Sequence, residues 1–199
     1  SSITANTVVA PDGTLTGDKL VEDTATGLHI ATKANIFTND GVPRAWSIYV
    51  KAAERRYVAL SATNVFSAIV NVYIFDALDG AWTQTTTDTA YALSFSSKSV
   101  GNGWWKISFT SNINNGAYVN FSIGLSPLPT GVASTNLSYT GDGASGIYIW
   151  GASLTLAADA HLPYQRVNTA TDYDTAGFPH YLKFNGIDDN LVSAAGGGG

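Results

Sequence analysis

Trp104, Lys106, Tyr118, Asn120, Tyr49 and Lys51 alternate with apolar neighbours along three segments of the chain. In Trp104–Thr110 the apolar set is Trp105, Ile107 and Phe109, which leaves Trp104, Lys106 and Ser108 on the opposite face. In Tyr118–Leu125 the apolar set is Val119, Phe121, Ile123 and Leu125, against Tyr118, Asn120 and Ser122. In Arg44–Lys51 the sets are Trp46, Ile48 and Val50 against Ser47, Tyr49 and Lys51. If the three segments share one sheet, its wet face is polar with aromatic platforms. That surface suits sugars: a pyranose ring has an apolar CH face that stacks on Trp or Tyr, and hydroxyls that need donors and acceptors at its rim. The expected set is Tyr49, Lys51, Tyr57, Trp104, Lys106, Tyr118 and Asn120. The alternative for each is a side chain that covers a sheet face or packs under a loop. Trp46, Trp105 and Trp150 are expected in the core.

Arg55 and Arg56 follow Glu54 at a corner. They could grip the carboxylate of an acidic sugar, such as a uronic or sialic acid, through bidentate contact. The corner could equally be solvated, with a Glu54 ion pair of little worth.

Catalysis has weaker support. Glycosidases place two carboxylates about 5–10 Å apart. Glu22 and Glu54 are the only glutamates, and neither sits in a motif. His29, His161 and His180 lack zinc-site spacing, and no G-x-S-x-G elbow or P-loop occurs. The expectation is a non-catalytic protein.

The elements that must position these residues are strands. Helical periodicity is nearly absent, whereas strand patterns recur between turn signals. Strands are expected at Ser2–Val9, Asp18–Val21, Leu28–Ile30, Arg44–Lys51, Tyr57–Thr63, Ile69–Asp76, Trp82–Thr86, Ala90–Ser97, Trp104–Thr110, Tyr118–Leu125 and Gly146–Leu156. Turns such as Pro11-Asp12-Gly13, Asn39-Asp40-Gly41 and Gly101-Asn102-Gly103 supply residues that tolerate positive φ. Short strands at this spacing predict an all-β, two-sheet antiparallel β-sandwich. In the last strand, strict alternation puts Tyr148, Trp150, Ala152 and Leu154 on one face.

Composition narrows the partners. Of 199 residues, 45% are hydrophobic, enough for a core, while only 13% are charged, about half the usual share. A surface of Ser, Thr, Asn and Gly is common in extracellular β proteins. The net charge of −5 argues against nucleic acid, whose phosphates need a dense cationic surface. No stretch approaches the roughly 20 apolar residues of a membrane span. Cys and Met are both absent, so disulfides are excluded and a fragment or processed product is expected. Residues Gln165 to Pro179 are polar and aperiodic, and read as a linker. Gly196–Gly199 reads as a linker or a cut end. The expected organisation is a domain over 1–164, followed by a linker and the start of a further β domain over 165–199.

Four segments, in order, resemble a jelly-roll module of the carbohydrate-binding type found in phage tail and secreted bacterial proteins. They are Ala10–Thr14 with Gly17–Leu20, Trp46–Ala52 with Glu54–Arg56, Gly103–Ser108, and Tyr139–Leu154. Tyr181–Val192 resembles the opening strand and turn of laminin-G-like or concanavalin-like sandwiches. The resemblance implies a jelly roll that binds polysaccharide or cell-surface glycan, in an extracellular protein or a virion. It leaves two alternatives: a structural domain of a virion fibre that binds no sugar, with a homo-oligomeric parent, and an accessory module of a polysaccharide-degrading enzyme. Related modules often carry a structural Ca²⁺ that ties the first strand to the last, which here points to Asp12, Asp18, Glu22 and Asp159. No D-x-D-x-D-G loop is present, and Asp12-Gly13 also reads as a plain turn.

Overall fold

Alternation of apolar and polar residues, broken by turn residues, gives thirteen strands among the described residues. The computed structural model describes residues 1–37, 42–64, 70–84, 94–111, 118–130, 137–160, 162 and 164. The strands are β1 (Ser2–Val8), β2 (Gly17–Val21), β3 (Thr26–Gly27), β4 (Ile30–Phe37), β5 (Arg44–Ala52), β6 (Tyr57–Asn64), β7 (Val70–Asp76), β8 (Ala81–Gln84), β9 (Ser94–Gly101), β10 (Trp104–Ser111), β11 (Tyr118–Ser126), β12 (Tyr139–Thr140) and β13 (Gly146–Leu156). A single 3-10 turn, Ala157–Asp159, follows β13, and no α-helix occurs among the described residues.

The six-stranded sheet runs β1-β2-β13-β5-β10-β9, the five-stranded sheet runs β4-β11-β6-β7-β8, and β12 pairs with β3 alone. Every pairing is antiparallel. The chain crosses between the two large sheets after β2, β4, β5, β8, β10 and β11. This is an all-β, two-sheet antiparallel sandwich, as the turn spacing predicts.

The inward faces meet in one aromatic-rich core. Trp46 on β5 stacks on Phe121 of β11 with ring centroids 5.0 Å apart, and Tyr73 on β7 lies 5.1 Å from Phe109 on β10. Ile48, Val50, Val58, Leu60, Phe75, Ile107, Leu125 and Ile147 close around them. Each such burial contributes about 1.5–3 kcal/mol, so these pairs fix how one sheet sits on the other. Trp46 belongs to this core, and Trp105 packs against its margin.

The expected face of the last strand is corrected by a bulge. Trp150 pairs with Tyr49, but Ser153, not Ala152, pairs with Ser47. The extra residue accompanies Gly151 at φ 61°, a conformation that favours glycine. Tyr148 and Trp150 therefore share the outer face with Ser153, while Leu154 turns inward to the core. Trp150 is not a core residue.

The chain divides into two units, Ser1–Tyr164 and Gln165–Gly199. The second unit lies outside the described residues, as does the resemblance noted over Tyr181–Val192.

Candidate functional site

The three alternating segments do not share a sheet. β5 and β10 are neighbours in the six-stranded sheet, and β11 lies in the five-stranded one. The single aromatic-and-polar face expected from their alternation is thus split over opposite sides of the sandwich.

On the outer face of the five-stranded sheet, Thr32, Ser122 and Ser61 are direct cross-strand partners on β4, β11 and β6. Thr32 Oγ1 and Ser122 Oγ are 2.8 Å apart. The next row is apolar and small: Ile30, Gly124, Ala59 and Ile74. A Cβ on Gly124 would sit 2.6 Å from Ile30 Cγ2, so only glycine lets Ile30 lie across the floor. Leu28, Leu137, Val72 and Asn120 complete a groove of about 250 Å³. Among the described residues, no charged side chain lines it. The arrangement is a strip of hydroxyls beside a strip of hydrocarbon. It can donate and accept hydrogen bonds along one edge of a ligand while covering an apolar face along the other.

Of the expected sugar contacts, Asn120 lines this groove. Tyr57 packs beside Ala59 and Ile74 on the same outer face, with the Arg56 guanidinium 5.3 Å from its ring centroid. The Tyr118 side chain lies outside the described residues. Ser61 and Thr32 were not expected in the site. Ser61 hides in a small-residue run, and Thr32 belongs to a strand whose Lys33 and Asn35 weaken the alternation. Ser122 sat on the wet face already read for its strand.

The six-stranded sheet holds the remainder. Trp104 is 1% exposed, and its indole N–H donates to the carbonyl of Val9 at 3.0 Å. It packs under the chain between β1 and β2, so its ring presents no face to a ligand. Tyr49 is likewise buried, edge-on to Trp150 with centroids 5.1 Å apart. The Lys106 ammonium donates to the carbonyls of Ala160 and Leu162, at 2.8 and 2.5 Å. Burial first, and Lys98 on the neighbouring strand second, hold its pKa below the usual lysine value. Lys51 stays half-buried on this face, beside Tyr148 of β13.

Arg55 is committed within the chain. Its Nε and Nη2 donate to the two oxygens of Glu22 at 2.8 and 2.6 Å. Glu22 is 1% exposed and also accepts the Tyr139 hydroxyl at 2.6 Å and the Asp142 N–H at 2.8 Å. Burial raises its pKa, but the hydrogen bonds from Arg55, Tyr139 and Asp142 outweigh that and hold it below the ordinary value. Burial, then Glu22, push the Tyr139 hydroxyl pKa up. This closed network pins the turn before β13 to β2 and to the corner after β5. Arg56 is similarly held by Asp76 and Asp79.

The expected calcium ligands do not form a set. Glu22 is taken by Arg55, Asp12 accepts the Thr14 N–H and hydroxyl at 2.9 and 2.7 Å, and Asp18 accepts the Asn6 N–H at 3.0 Å. Asp159 lies in the 3-10 turn, where its carbonyl accepts the Leu162 N–H at 3.0 Å. No group of three or more acidic or histidine side chains gathers among the described residues. His29 is buried, with Nε2 3.1 Å from the carbonyl of Tyr139. His161 and His180 lie outside the described residues. No helix among the described residues is long and apolar enough to cross a membrane.

Comparison with protein-family models and with curated proteins finds no match for this chain.

Proposed function

We propose that the chain is a non-catalytic glycan-binding module of a phage tail or secreted multidomain protein, and that the groove on the five-stranded sheet is its site. One observation carries this: the hydroxyl row Thr32, Ser122 and Ser61 runs beside the apolar row Ile30, Gly124 and Ala59 within one groove. A sugar ring has the same two-sided character. Its CH face removes Ile30 and Leu28 from water, and its hydroxyls exchange water for Asn120 and the serine and threonine side chains. The uncharged lining favours a neutral glycan over a uronic or sialic acid, and Arg55 is already neutralised by Glu22. The volume of about 250 Å³ is below the ~300–1,000 Å³ of drug-sized sites, which suits one or two sugar rings.

The test is affinity electrophoresis through gels cast with starch, xylan, galactomannan and hydroxyethylcellulose. Retardation by at least one, relieved in Asn120→Ala and Ser122→Ala, supports the site. Retardation unchanged in both variants moves the binding elsewhere.

A second reading, a structural domain of a virion fibre, draws support from the burial of Trp104 and Tyr49. Both rings serve the fold. The same gels separate the two, because a structural domain migrates freely in all of them.

A further inference from the structure

The outer face of the six-stranded sheet is covered at its centre, over β5, by the chain's own next segment. Ala45, Ser47 and Tyr49 point outward, yet they are 0%, 3% and 5% exposed. After β13 the chain turns through Ala157–Asp159, with the Ala157 N–H on the Pro43 carbonyl at 3.0 Å, and runs back over β5. Two features of the sheet receive it. Lys106 caps the carbonyls of Ala160 and Leu162. Tyr164 sets its ring edge-on to Trp150, with centroids 4.9 Å apart, and its N–H on the Tyr49 hydroxyl at 3.4 Å. The β13 bulge is shaped to this ring: a Cβ on Gly151 would lie 2.9 Å from Tyr164 Cδ1 and Cγ.

Its described residues form no strand and add no ladder to the sheet. It is held by side chains that read two carbonyls and one aromatic ring. Such a contact can be made equally by the same segment of another molecule, which is the low-cost exchange behind domain swapping.

We propose that this face is a peptide-binding face, filled within one molecule by its own Ala157–Tyr164 and open to the same segment of a second copy when that segment is displaced. Lys106 sets the register through the carbonyls, and Trp150 with Tyr49 selects the aromatic side chain. A tethered segment competes at an effective concentration of about millimolar, so the wild type excludes a free peptide.

The test is fluorescence anisotropy of a labelled peptide spanning 157–164 against the full chain. Tyr164→Ala weakens the internal occupant and leaves the face intact. It is expected to bind the peptide about tenfold or more tighter than the wild type does. Adding Lys106→Met is expected to reverse the gain; should that variant fail to unfold cooperatively in urea, Tyr49→Phe, which removes the acceptor for the Tyr164 amide, replaces it. Equal binding by wild type and Tyr164→Ala, or no binding by Tyr164→Ala, overturns the proposal. Sedimentation velocity after refolding at high concentration reads the second copy. A dimer in the wild type that Lys106→Met lacks supports the exchange, and a strictly monomeric wild type overturns it.

Discussion

Trp104 donates its indole N–H to the backbone carbonyl of Val9 at 3.0 Å, with Gly17 pressed against the ring. The residue with the strongest sugar-platform signature in the sequence thus seals the chain between β1 and β2 to the outside of the six-stranded sheet. Trp104→Phe leaves the Val9 carbonyl without this donor and opens space beside Gly17. The expected loss is about 1–3 kcal/mol of unfolding free energy in urea melts, with glycan retardation unchanged. A stable variant that has lost glycan binding would return Trp104 to the site.

Buried Glu22 and partly exposed Arg55 form a bidentate pair, and the remaining acceptor capacity of Glu22 is filled by Tyr139 and Asp142. Glu22→Ala removes the acceptor of the Tyr139 hydroxyl, the Asp142 N–H and the Arg55 guanidinium, and is expected to cost about 1–3 kcal/mol. The acid limb follows from the sign of the shift. The folded-state pKa of Glu22 lies below its ordinary 4.5, so its contribution is complete above that value and is lost as pH falls through the folded pKa. Asp76, held by Arg56, adds to the same limb below 3.8. Glu22→Gln is expected to flatten the loss of stability between pH 5 and 3, relative to wild type, by about one proton's worth of slope in urea melts.

Gly151 and Tyr164 are coupled through space. Gly151→Ala meets both a positive φ and the Tyr164 ring, and is expected to destabilise by about 1–3 kcal/mol. In a double-mutant cycle with Tyr164→Ala the steric part disappears, leaving a coupling of about 0.5 kcal/mol or more. Additive costs would mean that only the backbone conformation matters.

The Thr32 and Ser122 hydroxyls face each other on neighbouring strands, half of a satisfied pair open to the groove. Ser122→Ala leaves the strand backbone unchanged and removes the hydroxyl. Stability is expected to change by less than about 1 kcal/mol, while glycan affinity falls about fivefold or more.

Alternation and turn chemistry made the sandwich legible. Trp46, Ile48, Ile107, Phe109, Phe121 and Ile123 all face inward, as their spacing requires. What spacing does not carry is which strands are neighbours. β5, β10 and β11 have the same pattern, but the crossings between sheets put β11 on the far side. A bulge defeats alternation outright, because one residue at Gly151 flips every later side chain of β13. Trp150 lies before the bulge and faces outward opposite Tyr49, which its apolar character alone does not reveal, and the pairing of Arg55 with Glu22, 33 positions apart, has no local signature. Asn120 and Ser122 were legible because their strand is regular. Thr32 was not, because β4 lies at an edge of its sheet and mixes Lys and Asn with small apolar residues.

The measurement that bears most directly on the groove is isothermal titration calorimetry with neutral oligosaccharides from whichever polysaccharide retards the protein. Three proteins are compared: wild type, Ser61→Tyr, which fills the floor of the groove from β6, and Lys51→Ala on the opposite sheet. Saturable binding by wild type and Lys51→Ala, weakened about tenfold or more in Ser61→Tyr, is the predicted result. Binding that survives Ser61→Tyr and fails in Lys51→Ala would contradict it and place the sugar on the six-stranded sheet.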